Sequence, residues 1–118
     1  MRGKRIIANL FTNGQTIIQD PYKVIWVKVP ETGLFPSRFA VSVSKRLFKK
    51  AVNRNLIKRR TREVFRTNKQ SLNSVITAGS QIHIMFIYTA DAPLLTVNME
   101  DAMKIILQNI AQQYAESV

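Results

Sequence analysis

Basic side chains are concentrated in one short segment, where their types and spacing suit them to bind phosphate groups. Ten of the 18 lysines and arginines fall within Lys45–Arg66, where Glu63 is the only acidic residue. Arginine outnumbers lysine in the part predicted to be helical, and one guanidinium group can bind two phosphate oxygens at once. Because so few carboxylates are available to pair with these cations, we expect an external polyanion to compensate them.

Helical periodicity divides the second half of this segment into two faces. With about 3.6 residues per turn, polar side chains three or four residues apart share one face. The residues of this predicted cationic face are Arg54, Asn55, Lys58, Arg59, Arg62 and Arg66. Ile57, Thr61 and Val64 fall on another face, which we expect to pack against a sheet. The preceding loop adds four candidate phosphate ligands, Lys45, Arg46, Lys49 and Lys50.

The charge of the whole chain is strongly uneven. The net charge is +11, but residues 1–69 carry 17 basic and three acidic residues (+14), whereas residues 70–118 carry one basic and four acidic residues (−3). A cationic surface confined to one part of the chain is typical of proteins that bind nucleic acids.

The composition permits a folded domain but argues against catalysis by the protein itself. A chain of 118 residues with 46% hydrophobic residues can bury a core, and without cysteine it has neither disulfides nor thiolate metal ligands. The only histidine, His83, lies in an apolar run, where a core or edge position is expected. The sequence shows no glycine-rich phosphate loop, no metal-ligand spacing and no pairing of a nucleophile with a base.

The first residues of the chain are not expected to form a targeting segment. Polar residues at Asn9, Thr12 and Asn13 interrupt their apolar run, so that no signal peptide is predicted. No later stretch has the apolar length of a membrane-spanning helix. We therefore expect a soluble, cytoplasmic protein.

A small α+β domain must position the cationic segment. Periodicity predicts a first helix over residues 2–12 that ends at Asn13-Gly14, because glycine tolerates the left-handed conformation. The loop Pro30–Pro36 is expected to be mobile. Strands are predicted at residues 15–19, Tyr22–Val29, Arg38–Ser44 and Ile82–Tyr88. The last of these is nearly all apolar, which predicts a central strand covered on both faces.

Two more helices complete the predicted order α-β-β-β-α-β-α. One spans about residues 51–69 and carries the cationic face. The other is C-terminal, and the apolar residues at helical spacing that should fill the core are Met99, Met103, Ile106, Leu107, Ile110 and Tyr114. The whole chain, residues 1–118, is interpreted as a single RNA-binding domain with helices packed on a sheet.

Strand alternation predicts a second binding surface. In the second strand, Ile25 and Val27 are predicted to face the core, so that Tyr22, Trp26 and Lys28 face away from it. In the third strand, the polar side chains facing away are Arg38, Ser42 and Ser44. Aromatic rings beside cations over small residues suit single-stranded nucleic acid, because bases stack on the rings. The alternative is that Trp26 covers the first helix.

The cationic segment resembles the signature of bacterial ribonuclease P proteins. That signature is two basic residues, a short basic loop, an alanine and then Arg-Asn-Arg-x-x-Lys-Arg-x-x-Arg-Glu-x-x-Arg. The residues that match it by type are Lys45, Arg46, Lys49, Lys50, Ala51, Arg54, Asn55, Lys58, Arg59, Arg62, Glu63, Phe65 and Arg66. The segment Phe11–Gly14 fits the family as well. Leu56, at the third residue of Arg-Asn-Arg, and Ile7, where relatives often have Phe, depart from the pattern.

The resemblance implies a fold and a function. The fold would be a mixed four-stranded sheet with helices packed on it, ribosomal protein S5 domain 2-like. The protein would bind the catalytic RNA of ribonuclease P and the 5′ leader of precursor tRNA, while the RNA, with magnesium, removes the leader endonucleolytically. The protein itself would bind no cofactor. The resemblance places Phe11 and Trp26 in a leader-binding cleft, to which strand alternation adds Tyr22, Arg38 and Ser42.

Three other interpretations fit the sequence less well. A structural rRNA-binding protein of ribosomal type shares the basic character but not the Arg-Asn, Lys-Arg, Arg-Glu register. A DNA-binding module would need a recognition helix with base-reading spacing or a dimer seam, and neither is evident. A basic helix lying on a membrane needs a broad exposed apolar face, which Ile57 and Val64 cannot supply. We therefore expect neither DNA nor a membrane as partner.

Overall fold

The computed structural model describes residues 4–30, 36–77 and 79–116, with side chains described from residue 8 onward. Its helices and strands are, in chain order, α1 (Lys4–Asn13), β1 (Gln15–Gln19), β2 (Tyr22–Val29), β3 (Ser37–Val43), α2 (Ala51–Asn68), α3 (Gln70–Asn73), β4 (Gln81–Tyr88) and α4 (Thr96–Glu116). This confirms the predicted order and adds the four-residue α3. Most of the loop predicted to be mobile, residues 31–35, lies outside the described residues.

The four strands form one mixed sheet in the order β1-β2-β4-β3. Strand β4 pairs antiparallel with β2 and parallel with β3, so it is central, as its apolar sequence predicts. Every residue of β4 except Ile87 is buried. A mixed four-stranded sheet is thus confirmed, with β1 and β3 at its two edges.

Helices cover both faces of the sheet. Helices α2 and α4 pack on one face over the main core, and α1 packs on the other face over a smaller cluster of Leu10, Ile25, Val27 and Met85. The six apolar residues predicted as the core stripe of α4 are all at most 1% exposed, which confirms that the methionines fill the core. Within the described ranges, none of the helices combines the length and apolarity needed to cross a membrane.

Strand β2 presents the opposite faces from those predicted. Tyr22 and Trp26 belong to the main core under α2 and α4, and Ile25 and Val27 face α1. Both faces of β2 are apolar, so alternation defines two faces without deciding which one meets the larger core. The aromatic residues lie on that side because their large apolar surface gains most from full burial.

Gly14 ends α1 for a reason other than the one predicted. Among the described residues, only Gly79 has a positive φ, of 85°, so Gly14 is not left-handed. A Cβ at position 14 would overlap the backbone oxygen of Leu10 and lie 2.6 Å from Cγ2 of Ile25. Glycine therefore allows the end of α1 to approach β2 closely.

Candidate nucleic-acid interface

Helix α2 has one buried side and one cationic side. Its buried residues are Ile57, Thr61, Val64 and Phe65, which confirms the predicted seam and adds Phe65 to it. The aromatic ring of Phe65 lies 4.4 Å from that of Phe39 on β3, which fixes the helix against the sheet. On the other side, Asn55 and three arginines are exposed and Lys58 is half-buried; the arginines are Arg59, Arg62 and Arg66.

Few carboxylates compensate this cationic side. Nη2 of Arg66 lies 2.6 Å from Oε1 of Glu63, but both side chains are exposed, and such surface pairs contribute little to stability. Among the described residues, this is the only ion pair made by a basic residue of Lys45–Arg66. The remaining cations of the segment therefore repel one another unless an external anion binds.

The loop between β3 and α2 holds its four cations outward. The ring of Phe48 is 4% exposed and lies 6.0 Å from the ring of Tyr88, which anchors the middle of the loop in the core. The hydroxyl oxygen of Ser44 accepts hydrogen bonds from the backbone N–H groups of Arg46 and Leu47, at 3.1 and 3.3 Å. All four predicted basic ligands of the loop are exposed: Lys45, Arg46, Lys49 and Lys50.

Arg54 differs from the other predicted phosphate ligands. Its Nη1 donates hydrogen bonds to the carbonyl oxygens of Phe48 and Lys49, at 2.6 and 3.1 Å, and the residue is half-buried. At about 100° per residue, position 54 falls between Thr61 and Phe65, inside the buried arc of α2. The prediction that Arg54 belongs to the freely exposed cationic face is therefore wrong. Arg54 instead joins the loop to the helix.

The amino end of α2 concentrates positive charge. Lys50 is its N-cap residue and makes no capping hydrogen bond with its side chain, and the first turn contains no acidic residue. Lysines at this end meet the positive end of the helix dipole, which is unfavourable. A phosphate group bound there would neutralise the charge of the lysines and accept hydrogen bonds from the free backbone N–H groups.

Arg60 is a structural residue that the sequence interpretation left unassigned. Its Nη1 donates a hydrogen bond of 2.6 Å to the carbonyl oxygen of Leu94. The hydroxyl of Tyr88 binds the same segment, because it donates to the carbonyl of Ala92 at 2.7 Å and accepts from the N–H of Leu94 at 3.2 Å. Burial raises the pKa of Tyr88. The position of Arg60 on the helix, away from the cationic arc, is the sequence signal that could have indicated this role.

The sheet face under α1 carries the second polar surface. Across neighbouring strands, about 4.8 Å apart, Lys23, Ile87 and Ser42 lie side by side. Arg38 lies on the same face of β3 as Ser42, four residues before it and beside buried His83. Because α1 packs mainly against β2 and β4, both Arg38 and Ser42 remain exposed on the β3 edge.

The structure brings only part of the predicted cleft to this surface. Phe11 is 62% exposed on α1, the helix that covers this face, whereas Tyr22 and Trp26 lie on the other side of the sheet at 0% and 2% exposure. Nε1 of Trp26 donates a hydrogen bond of 3.0 Å to Oε1 of Gln113. The predictions that Trp26 and Tyr22 line an exposed cleft, and that Trp26 covers the first helix, are both wrong.

Lys28 was expected beside those aromatic residues on the exposed floor. Its Nζ instead lies 5.1 Å from the centre of the Tyr114 ring of α4. Lys28 therefore lies on the α4 side of the sheet. Strand alternation agrees, since Lys28 and Trp26 share one face of β2. Lys23 points to the opposite face of β2 and is the β2 cation on the polar surface. It was not among the predicted site residues.

Metal-ligating side chains do not cluster in the part of the chain that the structure describes. No group of three or more His, Asp or Glu side chains in these residues could hold a metal ion. His83 is 2% exposed, and its Nε2 lies 2.9 Å from Oε1 of Gln81, as expected for a core histidine.

Comparison with known proteins decides the family. The model of the family described as Ribonuclease P matches residues 1–110 of the chain. The chain is a member of the ribonuclease P protein family. Two curated relatives are each called ribonuclease P protein component. That of Porphyromonas gingivalis is 37% identical over 70 residues, 59% of this chain, and that of Petrotoga mobilis is 44% identical over 69 residues, 58% of this chain. These matches span about half the length of the relatives, 51% and 55%.

Solved ribonuclease P proteins share the fold. The protein from Thermotoga maritima superimposes with a TM-score of 0.73 at 23% identity, over 92% of this chain and 94% of that one. A mutant protein from Staphylococcus aureus gives a TM-score of 0.71 at 21% identity, over 93% and 86% of the two chains. The order of elements and the mixed sheet are therefore those of a ribonuclease P protein.

Proposed function

We propose that this chain is the protein subunit of ribonuclease P, the endoribonuclease that matures the 5′ ends of tRNAs. Lys45–Arg66 binds the catalytic RNA, and the polar surface beside α1 binds the 5′ leader of precursor tRNA. One observation carries the proposal: a loop and a helix anchored in the core present cations of which only Arg66 has a carboxylate partner among the described residues.

The rigidity of this cationic surface favours a structured RNA over a loose polyanion. Phe48 and Arg54 hold the loop, and the Phe65–Phe39 contact holds the helix, so that the spacing of the cations is set before binding. A preorganised surface loses less conformational entropy when it binds. Eight phosphate ligands are proposed on it: Lys45, Arg46, Lys49, Lys50, Lys58, Arg59, Arg62 and Arg66.

The chemistry of leader removal is assigned to the RNA subunit. The described residues of the protein provide no cluster of metal-ligating side chains, so the magnesium that the reaction needs is not assigned to them. The protein would instead reduce the repulsion between the catalytic RNA and precursor tRNA, because its cations neutralise phosphates of both. This role places it in a cytoplasmic ribonucleoprotein.

The leader site is proposed on exposed residues alone. Phe11 offers a face on which a base can stack, and Arg38 and Ser42 offer a charged and a neutral hydrogen-bonding group on the β3 edge. These three residues replace the cleft of five predicted from the sequence. Single-stranded leader RNA fits such a surface, since its bases are free to stack.

Binding of a ribonuclease P RNA at increasing salt concentration tests this function. Each phosphate contacted should contribute to the slope of log K against log salt, by about −0.7 for single strands and about −0.9 if a duplex behaves as B-form DNA does. Several contacts should give a steep slope, with affinity falling by orders of magnitude between 50 and 200 mM salt, as for proteins making roughly six to ten phosphate contacts. A flat response would refute the proposal.

A further inference from the structure

The outermost ridge of α2 begins with two apolar side chains that the core does not explain. Val52 is 71% exposed, and Leu56, one turn later, is half-buried. At about 100° per residue, Val52 lies opposite the buried arc of α2, and Leu56 lies between Val52 and the edge of that arc at Val64. The apolar surface that these two residues expose is therefore available to a partner outside the protein core.

These two side chains help to line a shallow depression. Its volume is about 320 Å³, and it is lined by Val52, Asn53, Asn55, Leu56 and Arg59. Its lining thus combines two aliphatic side chains, two side-chain amides and one guanidinium group. Amides both donate and accept hydrogen bonds.

We propose that this depression seats one unpaired base of the bound RNA, an inference that rests on the proposed function. The flat faces of a base can pack on Val52 and Leu56, while its polar edge pairs with an amide and its phosphate reaches a neighbouring arginine. A phosphate group alone would leave the two aliphatic side chains without a partner. The surrounding cations, uncompensated by described carboxylates, make RNA the complementary occupant.

The departure from the family signature acquires a role in this account. Leu56 stands where the signature has the third residue of Arg-Asn-Arg. An arginine there would add a phosphate contact and place charge over the depression. This chain exchanges that electrostatic contact for an apolar surface, so that affinity at this position depends on a base and not on counterion release.

Binding of ribonuclease P RNA to two variants at several salt concentrations separates these contributions. Leu56→Ala should lower affinity about five- to tenfold with an unchanged salt slope, because it removes apolar surface from the contact with the base and releases no counterions. Leu56→Arg should instead steepen the slope by about 0.7–0.9. Val97→Ala, which removes a 60% exposed side chain on α4, is the matched control and should bind like wild type.

Chemical modification of unpaired bases in the complex gives the second readout. Wild type should protect one base that becomes reactive with Leu56→Ala and with Val52→Ala, while other protections persist. If both variants bind and protect like wild type, the base site is wrong, and a protein partner or bare solvent meets the depression. If wild type itself fails to bind the RNA with a steep salt slope, the proposed function fails, which is a different result.

Discussion

The guanidinium group of Arg54 donates a hydrogen bond of 2.6 Å to the carbonyl oxygen of Phe48. A residue of the helix thereby fixes the loop that precedes it, at the point where Phe48 enters the core. The two basic clusters of the family signature are joined in this way into one surface. Arg54 therefore shapes the cationic surface, whereas the exposed basic residues are the ones proposed to bind RNA.

Arg54→Ala and Arg62→Ala should therefore weaken RNA binding in different ways. Arg62 is exposed, so its loss should reduce the salt slope by about one phosphate contact and leave the free energy of unfolding unchanged. Loss of Arg54 should cost about 1.5–3 kcal/mol of stability, the usual value for hydrogen bonds to a charged group. Urea unfolding measures the loss of stability, and salt-dependent binding measures the change in slope. Identical behaviour of the two variants would contradict the different roles given to Arg54 and Arg62.

The leader site predicts a selective effect of Phe11→Ala and Arg38→Ala. Each should reduce the preference of the holoenzyme for substrates with a leader by roughly five- to tenfold, as expected for loss of one stacking or charged contact. Cleavage of a substrate with a one-nucleotide leader should change little. Comparison of kcat/KM for the two substrates checks this, with Val97→Ala as the exposed control on the other side of the sheet. Equal losses on both substrates would exclude a leader contact.

Trp26→Ala should show the opposite pattern. Because Trp26 is 2% exposed in the main core and bonded to Gln113, its truncation should destabilise the fold by about 3–5 kcal/mol. Activity should then fall equally for substrates with and without a leader, and Trp26→Phe should recover most of it. Thermal unfolding with both cleavage assays tests this. If Trp26→Ala lost only the preference for a leader and kept full stability, Trp26 would be a leader contact and not a core residue.

The misplaced faces of β2 mark the limit of sequence reasoning in this fold. For α2, charge and periodicity agree, and so Ile57, Thr61 and Val64 are predicted correctly as its buried seam. For β2, both faces are apolar, and the choice between them depends on which helices cover each face. The choice therefore depends on tertiary packing, that is, on where α1 and α4 pack, and these helices lie at opposite ends of the sequence.

The candidate site divides along the same line. Exposure of the loop lysines and of Arg62 follows from local pattern and could be predicted. The bonds of Arg54 and Arg60 to backbone carbonyls could not, because their acceptors belong to loops whose path the sequence does not specify. A basic residue near the edge of a buried arc can bind its own protein as readily as a phosphate.

The hydroxyl of Tyr22 makes the stability of the fold sensitive to alkaline pH. Burial raises its pKa from 10.0 to about 12, although the 2.7 Å hydrogen bond with Thr61 lowers it in part. The folded pKa exceeds the unfolded value, so the contribution to stability is complete below pH 10 and is lost as pH rises from 10 towards 12.

Tyr22→Phe should therefore lose less stability than wild type when the pH is raised from 9 to about 11.5, a range set by the two pKa values. At neutral pH the variant should be less stable by about 1 kcal/mol, the value of one hydrogen bond. Tyr88, whose pKa burial also raises, still titrates in the variant. Urea unfolding across this range is the measurement, and parallel pH curves for the two proteins would contradict it.

Reconstitution with a ribonuclease P RNA tests the central claim most directly. The isolated protein should show no nuclease activity, because the chemistry is assigned to the RNA and the described residues of the protein form no cluster that could hold a metal ion. Added to the RNA at a magnesium concentration too low for the RNA alone, it should restore cleavage of precursor tRNA at the mature 5′ end. Cleavage that the protein leaves unchanged at every magnesium concentration would contradict the account.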